Sequence, residues 1–295
     1  MKKRLLSMAA GLMVISSLAA CGSGNSNSAP AETTKAAEKK TETTAAESNE
    51  ETTAEEKSSS AVETATGKFT VGFDQEFPPM GFVGDNGEYT GFDLALAEEA
   101  AKRLGLEFVP QPINWDAKDM ELESGNIDCI WNGFTMQGRE DAYTWVGPYM
   151  ANNQVFVVNG DSDISTKEDL SGKAVEVQKD SSGLNAINDD AALLASFGSL
   201  TEVADYNTAL MDLESGACDA VCMDSIVAGY QIKSSGKNMK ILDDTLAAEE
   251  YGIGFKKGDE ALASAVKDVL IEMVADGTVE KISNEWFGSN VFTLK

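Results

Sequence analysis

The chain contains no histidine at all, which removes the commonest general base and metal ligand. Cysteine is scarce, with four in 295 residues, and proline little commoner, with six. Basic residues are outnumbered, 23 Lys and Arg against 49 Asp and Glu, for a formal net charge of −26. That charge argues against nucleic acid and anionic lipid surfaces as partners. No stretch is long and apolar enough for a comfortable membrane span: the best, Leu5 to Ala20, is short and interrupted by Ser, Gly and Ala. Of the cysteines, Cys129 falls within an apolar strand pattern and reads as a small buried hydrophobe. Cys218 and Cys222 flank one extended segment and read as two free thiols, with a disulfide between them as the alternative, and not as a metal site.

What is present begins with Lys2, Lys3 and Arg4, then the apolar run, then Leu18-Ala19-Ala20-Cys21. The basic and apolar regions follow the order of a secretory signal peptide over residues 1–20. The last four residues resemble the lipobox of bacterial lipoproteins, which implies lipidation of Cys21 and a chain anchored to the membrane without spanning it. From residue 22 to 67 the sequence is Ser, Thr, Ala, Glu and Lys with Val62 as the single large apolar residue. Such a segment cannot bury enough apolar surface to offset its ordering entropy, and it is expected to be a disordered tether reaching roughly 40 Å.

The remainder, Lys68 to Lys295, alternates strand-like and helix-like segments, the signature of an α/β fold. Phe69 to Phe73 reads as a strand. Asp85-Asn86-Gly87 marks a hairpin within Phe82 to Thr90. Asp93 is expected to cap a helix that ends at Leu104 before Gly105, with Leu94, Ala97, Ala101 and Leu104 as its apolar stripe. Leu106 to Val109 and Ala174 to Val177 read as strands. Ser165-Thr166-Lys167-Glu168 reads as a capping box and Ser182 to Leu194 as one helix. Asp259 to Phe287 reads as two helices broken near Gly277.

One internal repeat stands out: LESGNIDCI from Leu122 and LESGACDAV from Leu213. Each reads as a last helical turn, a Gly cap and a buried strand. Their separation suits two similar lobes rather than a solenoid. Ligands of open α/β sheets bind beyond the carboxyl ends of the strands. The repeat therefore directs attention to Trp131-Asn132-Gly133-Phe134-Thr135 and to Cys222-Met223-Asp224-Ser225 as facing walls of a cleft.

The segments VGFDQEFPPMGF, YTGFDLALAEEAAKRLG, NIDCIWNGFTMQGRE, GPY, ACDAVCMDSIVAGY and ISNEWFG, in this order, resemble the polar amino-acid family of ABC-transporter substrate-binding proteins. The resemblance implies a two-lobed periplasmic-binding-protein-like fold of type II with two crossover strands as hinge. They are expected near Val155 to Val158 and Gly252 to Phe255. Lobe 1 would be 68–154 plus 253–295 and lobe 2 would be 155–252. It implies a non-enzymatic protein with no cofactor or metal, acting as a monomer that captures a free amino acid and delivers it to an ABC permease and ATPase complex.

A free amino acid is a zwitterion, so a site that excludes water must answer both charges. Arg139 suits the carboxylate because a guanidinium binds it as a bidentate fork. In the family an Arg after the Gly-x-Thr segment has this role; here that segment is one residue shorter, and Arg139 is the only Arg it offers. Ser181 and Ser182 open a helix after a strand, where N–H groups and hydroxyls suit an anion, though a plain N-cap would look the same. Asp224 matches the family's ammonium-binding Asp and equally suits an N-cap. Gly133 and Thr135 match positions that offer a carbonyl and a hydroxyl. Asp74, Phe77 and Trp115 match the side-chain pocket, with core packing as the plain alternative for Trp115. Asn132 and Trp131 replace smaller family residues, Asn132 being counted with the pocket and Trp131 either narrowing it or packing behind. Two other readings stay open: a cyclohexadienyl dehydratase on the same fold, with Glu76 the nearest acid–base candidate, and a ligand-sensing module.

Overall fold

The computed structural model describes residues 67–295. The leader, Cys21 and the tether lie outside the described residues. The chain folds as β1 (Lys68–Phe73), a small antiparallel sheet of β2 (Glu76–Phe77), β3 (Gly81–Val83) and β4 (Tyr89–Thr90), then α1 (Phe92–Leu104) and β5 (Glu107–Pro112). A 3-10 turn at Trp115–Ala117 leads into α2 (Lys118–Ser124), β6 (Cys129–Thr135) and the long β7 (Thr144–Asn159). Next come β8 (Ala174–Gln178), α3 (Ser182–Asp189), α4 (Ala191–Ser196), β9 (Ser199–Val203), α5 (Tyr206–Ser215), β10 (Ala220–Asp224) and α6 (Ser225–Ser235). The chain closes with β11 (Met239–Phe255), α7 (Glu260–Ala275) and α8 (Thr278–Phe287).

The main sheet has the order β5-β1-β6-β11-β7-β10-β8-β9. Its two ends share one plan. In each, the first strand in sequence sits between the second and the third, all parallel, and a long antiparallel strand flanks the third. The third strands, β6 and β10, are the two copies of the repeat, each entered through a left-handed Gly cap, Gly125 at φ 76° and Gly216 at φ 79°. Every residue of β6 and β10 is buried, as their near-continuous apolar runs require of parallel strands covered on both faces. β7 and β11 run antiparallel beside one another and join the halves. β7 pairs with β10 through residues 154–158, and β11 pairs with β6 through residues 251–255. The stretches expected as crossovers are thus the ends of these strands already seated in one half.

Three local expectations shift. Asp93 is not the cap of α1, which is entered at Gly91 with no side-chain cap; Asp93 lies fully buried in the first turn and serves the site described below. The capping box forms one residue later, between Thr166 and Asp169, because Thr166 is the residue with extended backbone. The single helix expected over Ser182 to Leu194 is two, broken at Asp190, whose carboxylate accepts from the Leu193 N–H and starts α4. Cys129, Cys218 and Cys222 are buried free thiols.

Candidate functional site

The order second-first-third creates a switch point between β1 and β6 in one half and between β8 and β10 in the other. The carboxyl ends of those four strands deliver Asp74, Thr135, Gln178 and Asp224 to one place. A small cavity of about 10 Å³ is lined by Phe77, Trp115, Gly133, Thr135, Arg139, Gln178, Ser181, Ser182 and Asp224. Eight of the ten ligand-binding residues expected from the sequence meet there. Asp74 adjoins it, since Gln178 Nε2 donates to Asp74 Oδ2 at 2.6 Å across the halves. Asn132 does not line it: buried, it accepts from the Asp74 N–H at 3.0 Å and so braces the Asp74 turn from behind. Trp131 is fully buried against Tyr149, also behind the wall.

Gly133 has φ +56° within β6, and a Cβ there would fall 2.8 Å from the Phe77 ring. Only glycine allows that ring and the strand to approach so closely. The kinked backbone is held by Asp93, whose Oδ2 accepts from the Gly133 N–H at 2.7 Å and from the Tyr149 hydroxyl at 2.8 Å. Burial pushes the Asp93 carboxyl up to about 7.

Arg139 donates to the Thr135 carbonyl at 3.2 Å and to the Asp180 carbonyl at 3.3 Å, and its guanidinium lies over the Phe134 ring. Trp145 Nε1 donates to the Arg139 carbonyl, fixing the turn. Among the described residues Arg139 forms no ion pair with Glu140, Asp141 or any other carboxylate. Opposite it, Ser181 caps α3 by accepting from the Leu184 N–H, and Thr135 donates to the Ser182 hydroxyl at 3.2 Å. A guanidinium thus faces a helix N-terminus and two hydroxyls, a setting for a carboxylate.

The other pole is anionic. Asp224 is buried and accepts from the Tyr251 hydroxyl at 2.6 Å, Asn152 Nδ2 at 2.8 Å and the Tyr206 hydroxyl at 3.1 Å. It gives α6 no side-chain cap bond, so capping does not account for it. Burial, then the nearby Glu249 carboxylate, push the Asp224 carboxyl upward.

Beyond Asp74 the cleft opens into a cavity of about 760 Å³ walled by Glu76, Asp116, Glu202 and Asp205, with Lys179 as its one basic lining residue. Burial pushes the Asp74 carboxyl up to about 6. Lys118, buried beside Asp180 with its ammonium against Trp115, ties the halves together; burial pulls its ammonium downward. Sequence reasoning missed Lys118, Gln178, Asn152, Gln154, Tyr206, Tyr251 and Glu249. Gln178 alone had a legible signal, as the last residue of β8 before the Lys179-Asp180-Ser181-Ser182 turn.

Among the described residues no group of acidic or thiol side chains is arranged to hold a metal, and no helix is long and apolar enough to cross a membrane. The fold and its paired switch points define a type II periplasmic-binding-protein architecture, the class of its structural neighbours. Residues 69–289 match the model of the bacterial extracellular solute-binding proteins, family 3, and the chain belongs to that family. It is 33% identical to the L-cystine-binding protein TcyJ of Escherichia coli K12 over 231 residues, covering 76% of this chain and 84% of that one. It is 30% identical to the L-cystine-binding protein TcyA of Bacillus subtilis, covering 99% of both. A substrate-binding protein of an ABC uptake transporter from Streptococcus pneumoniae, solved with bound histidine, superposes with a TM-score of 0.75 at 32% identity, covering 78% of this chain and 96% of that one. Family and relatives are solute-binding proteins and not enzymes, which leaves the dehydratase reading without support.

Proposed function

We propose that this protein captures a free polar amino acid between its two halves and presents it to an ABC importer as a monomer. The observation that carries this reading is a pair of opposite poles lining one cleft, Asp224 buried and Arg139 half-buried. Arg139 with the start of α3 suits a carboxylate, and Asp224 suits an ammonium. Gly133 and Thr135 lie between them, and Phe77 and Trp115 wall the apolar part of the ligand. The acidic cavity beyond Asp74 favours a side chain ending in N–H donors, as in a basic amino acid or cystine. In this reading 68–154 plus 253–295 form one lobe and 155–252 the other, and closure follows from tighter binding to the closed form.

A thermal-shift screen of the purified protein against the common amino acids and cystine tests this directly. A ligand that binds only the folded state raises Tm. A flat response to all of them refutes capture. We further propose that residues 1–20 are removed, that Cys21 is lipidated and that residues 21–67 tether the domain to the outer face of the cell membrane. Replacing Cys21 with Ala is expected to abolish labelling by radioactive palmitate and release the protein from membranes.

A further inference from the structure

Glu249 lies on β11, the strand that joins the halves, and is buried. Asn152 Nδ2 donates to Glu249 Oε1 at 2.6 Å and to Asp224 Oδ1 at 2.8 Å, so one amide nitrogen bridges two carboxyl groups. The carbonyl of that amide accepts from the Ser225 hydroxyl and the Ile226 N–H, which fixes which side faces the acids. Gln154 Nε2 also donates to Glu249, at 2.9 Å, and to Ser182 at 3.0 Å. Yet Gln154 Oε1 is buried with no hydrogen-bond partner among the described residues.

Around the pair, α5 contributes Tyr206, β11 contributes Tyr251, β10 contributes Cys222 and β7 contributes Asn152 and Gln154. None of these is a cation, and among the described residues neither Asp224 nor Glu249 forms an ion pair. Two adjacent carboxylates away from water cannot both ionise without strong repulsion.

We propose that Glu249 is a second anionic residue of the binding site, whose place beside Asp224 keeps a proton on the Asp224 carboxyl until the cationic head of the ligand displaces it into solvent. This rests on the reading of amino-acid capture above. The upward shift of the Asp224 carboxyl, from burial and then the neighbouring Glu249, accords with a proton held there at neutral pH. Asp224 then ionises fully only when the ammonium arrives, so capture tightens as pH rises.

Calorimetric titration of the purified chain with L-cystine, L-arginine, L-histidine and L-glutamine, in phosphate and in Tris, tests this. The expected result is a buffer-dependent binding heat corresponding to release of up to one proton at pH 7. Kd should fall by up to about tenfold per pH unit between pH 6 and 8, the limit for one linked proton. Glu249→Gln keeps an acceptor for Asn152 and Gln154 while removing the second charge. It is expected to flatten that slope to less than about threefold over the same range. An isotherm whose heat is identical in both buffers overturns the displaced proton while leaving capture intact. The absence of any isotherm overturns capture and the displaced proton with it. The buffer comparison needs only the unaltered chain, so it stands even if Glu249→Gln does not fold.

Discussion

Asp224 and Arg139 occupy opposite poles of a cleft built mostly from strand ends, and each is held by neighbours that leave it no alternative partner of opposite charge. Replacing Asp224 with Ala is expected to weaken ligand binding by roughly 2–5 kcal/mol, because the ammonium would be buried unpaired. Calorimetry checks this, and an unchanged Kd would remove Asp224 from the site. Arg139→Ala carries the same expectation for the carboxylate, and normal binding would show that the guanidinium serves only the Asp180 turn. That these two residues meet in one cleft was legible from the internal repeat and from the resemblance to the family. Asn152, Gln154 and Glu249 were not, because they sit on long strands whose polar positions look like ordinary solvent-facing alternation. Only the pairing of β7 with β10 and β11 turns those positions inward.

At the scale of single elements, β6 depends on one backbone conformation. Gly133→Ala forces a side chain into positive φ and against the Phe77 ring, and is expected to cost about 1–3 kcal/mol of stability. Chemical denaturation measures it, and a loss within error would mean the strand relaxes freely. Asp205 accepts from the Thr208 N–H at 2.8 Å and starts α5. Asp205→Ala should cost about 1 kcal/mol by the same measurement. Strands, Gly caps and the final helix pair were readable from periodicity and punctuation. The break at Asp190 was not, since the residues on both sides keep a helical apolar pattern and Asp inside it resembles any surface acid. The role of Asp93 was hidden for a related reason: a carboxylate in a first helical turn is ordinary, and its partners lie 40 and 56 positions away.

For the whole molecule, the LESG repeat marks the same place at the two ends of the main sheet: in both, it enters the third strand, whose end faces the cleft. The buried acids have a global consequence as well. Asp74 and Asp93 have carboxyls raised to about 6 and about 7, above the 3.8 of an unfolded Asp. A raised carboxyl binds its proton more tightly in the folded state, so its contribution is full below about pH 4 and fades as pH climbs through 6 to 7. Scanning calorimetry without ligand is therefore expected to give a higher Tm at pH 5 than at pH 7.5. Asp93→Asn should reduce that difference, and a Tm that rises steadily over this range would contradict it.

β7 and β11 lie side by side for most of their 16 and 17 residues, with register shifts in β11 between Ile241 and Ala247 and again between Tyr251 and Ile253. A hydrogen-bonded two-stranded ribbon bends readily out of its own plane but resists sliding within it. In the capture reading proposed above, the halves would swing like a door on a strip of leather, with the irregular stretches as the crease and sideways slippage suppressed. Arg139 and Asp224 would then return to the same facing positions after every opening.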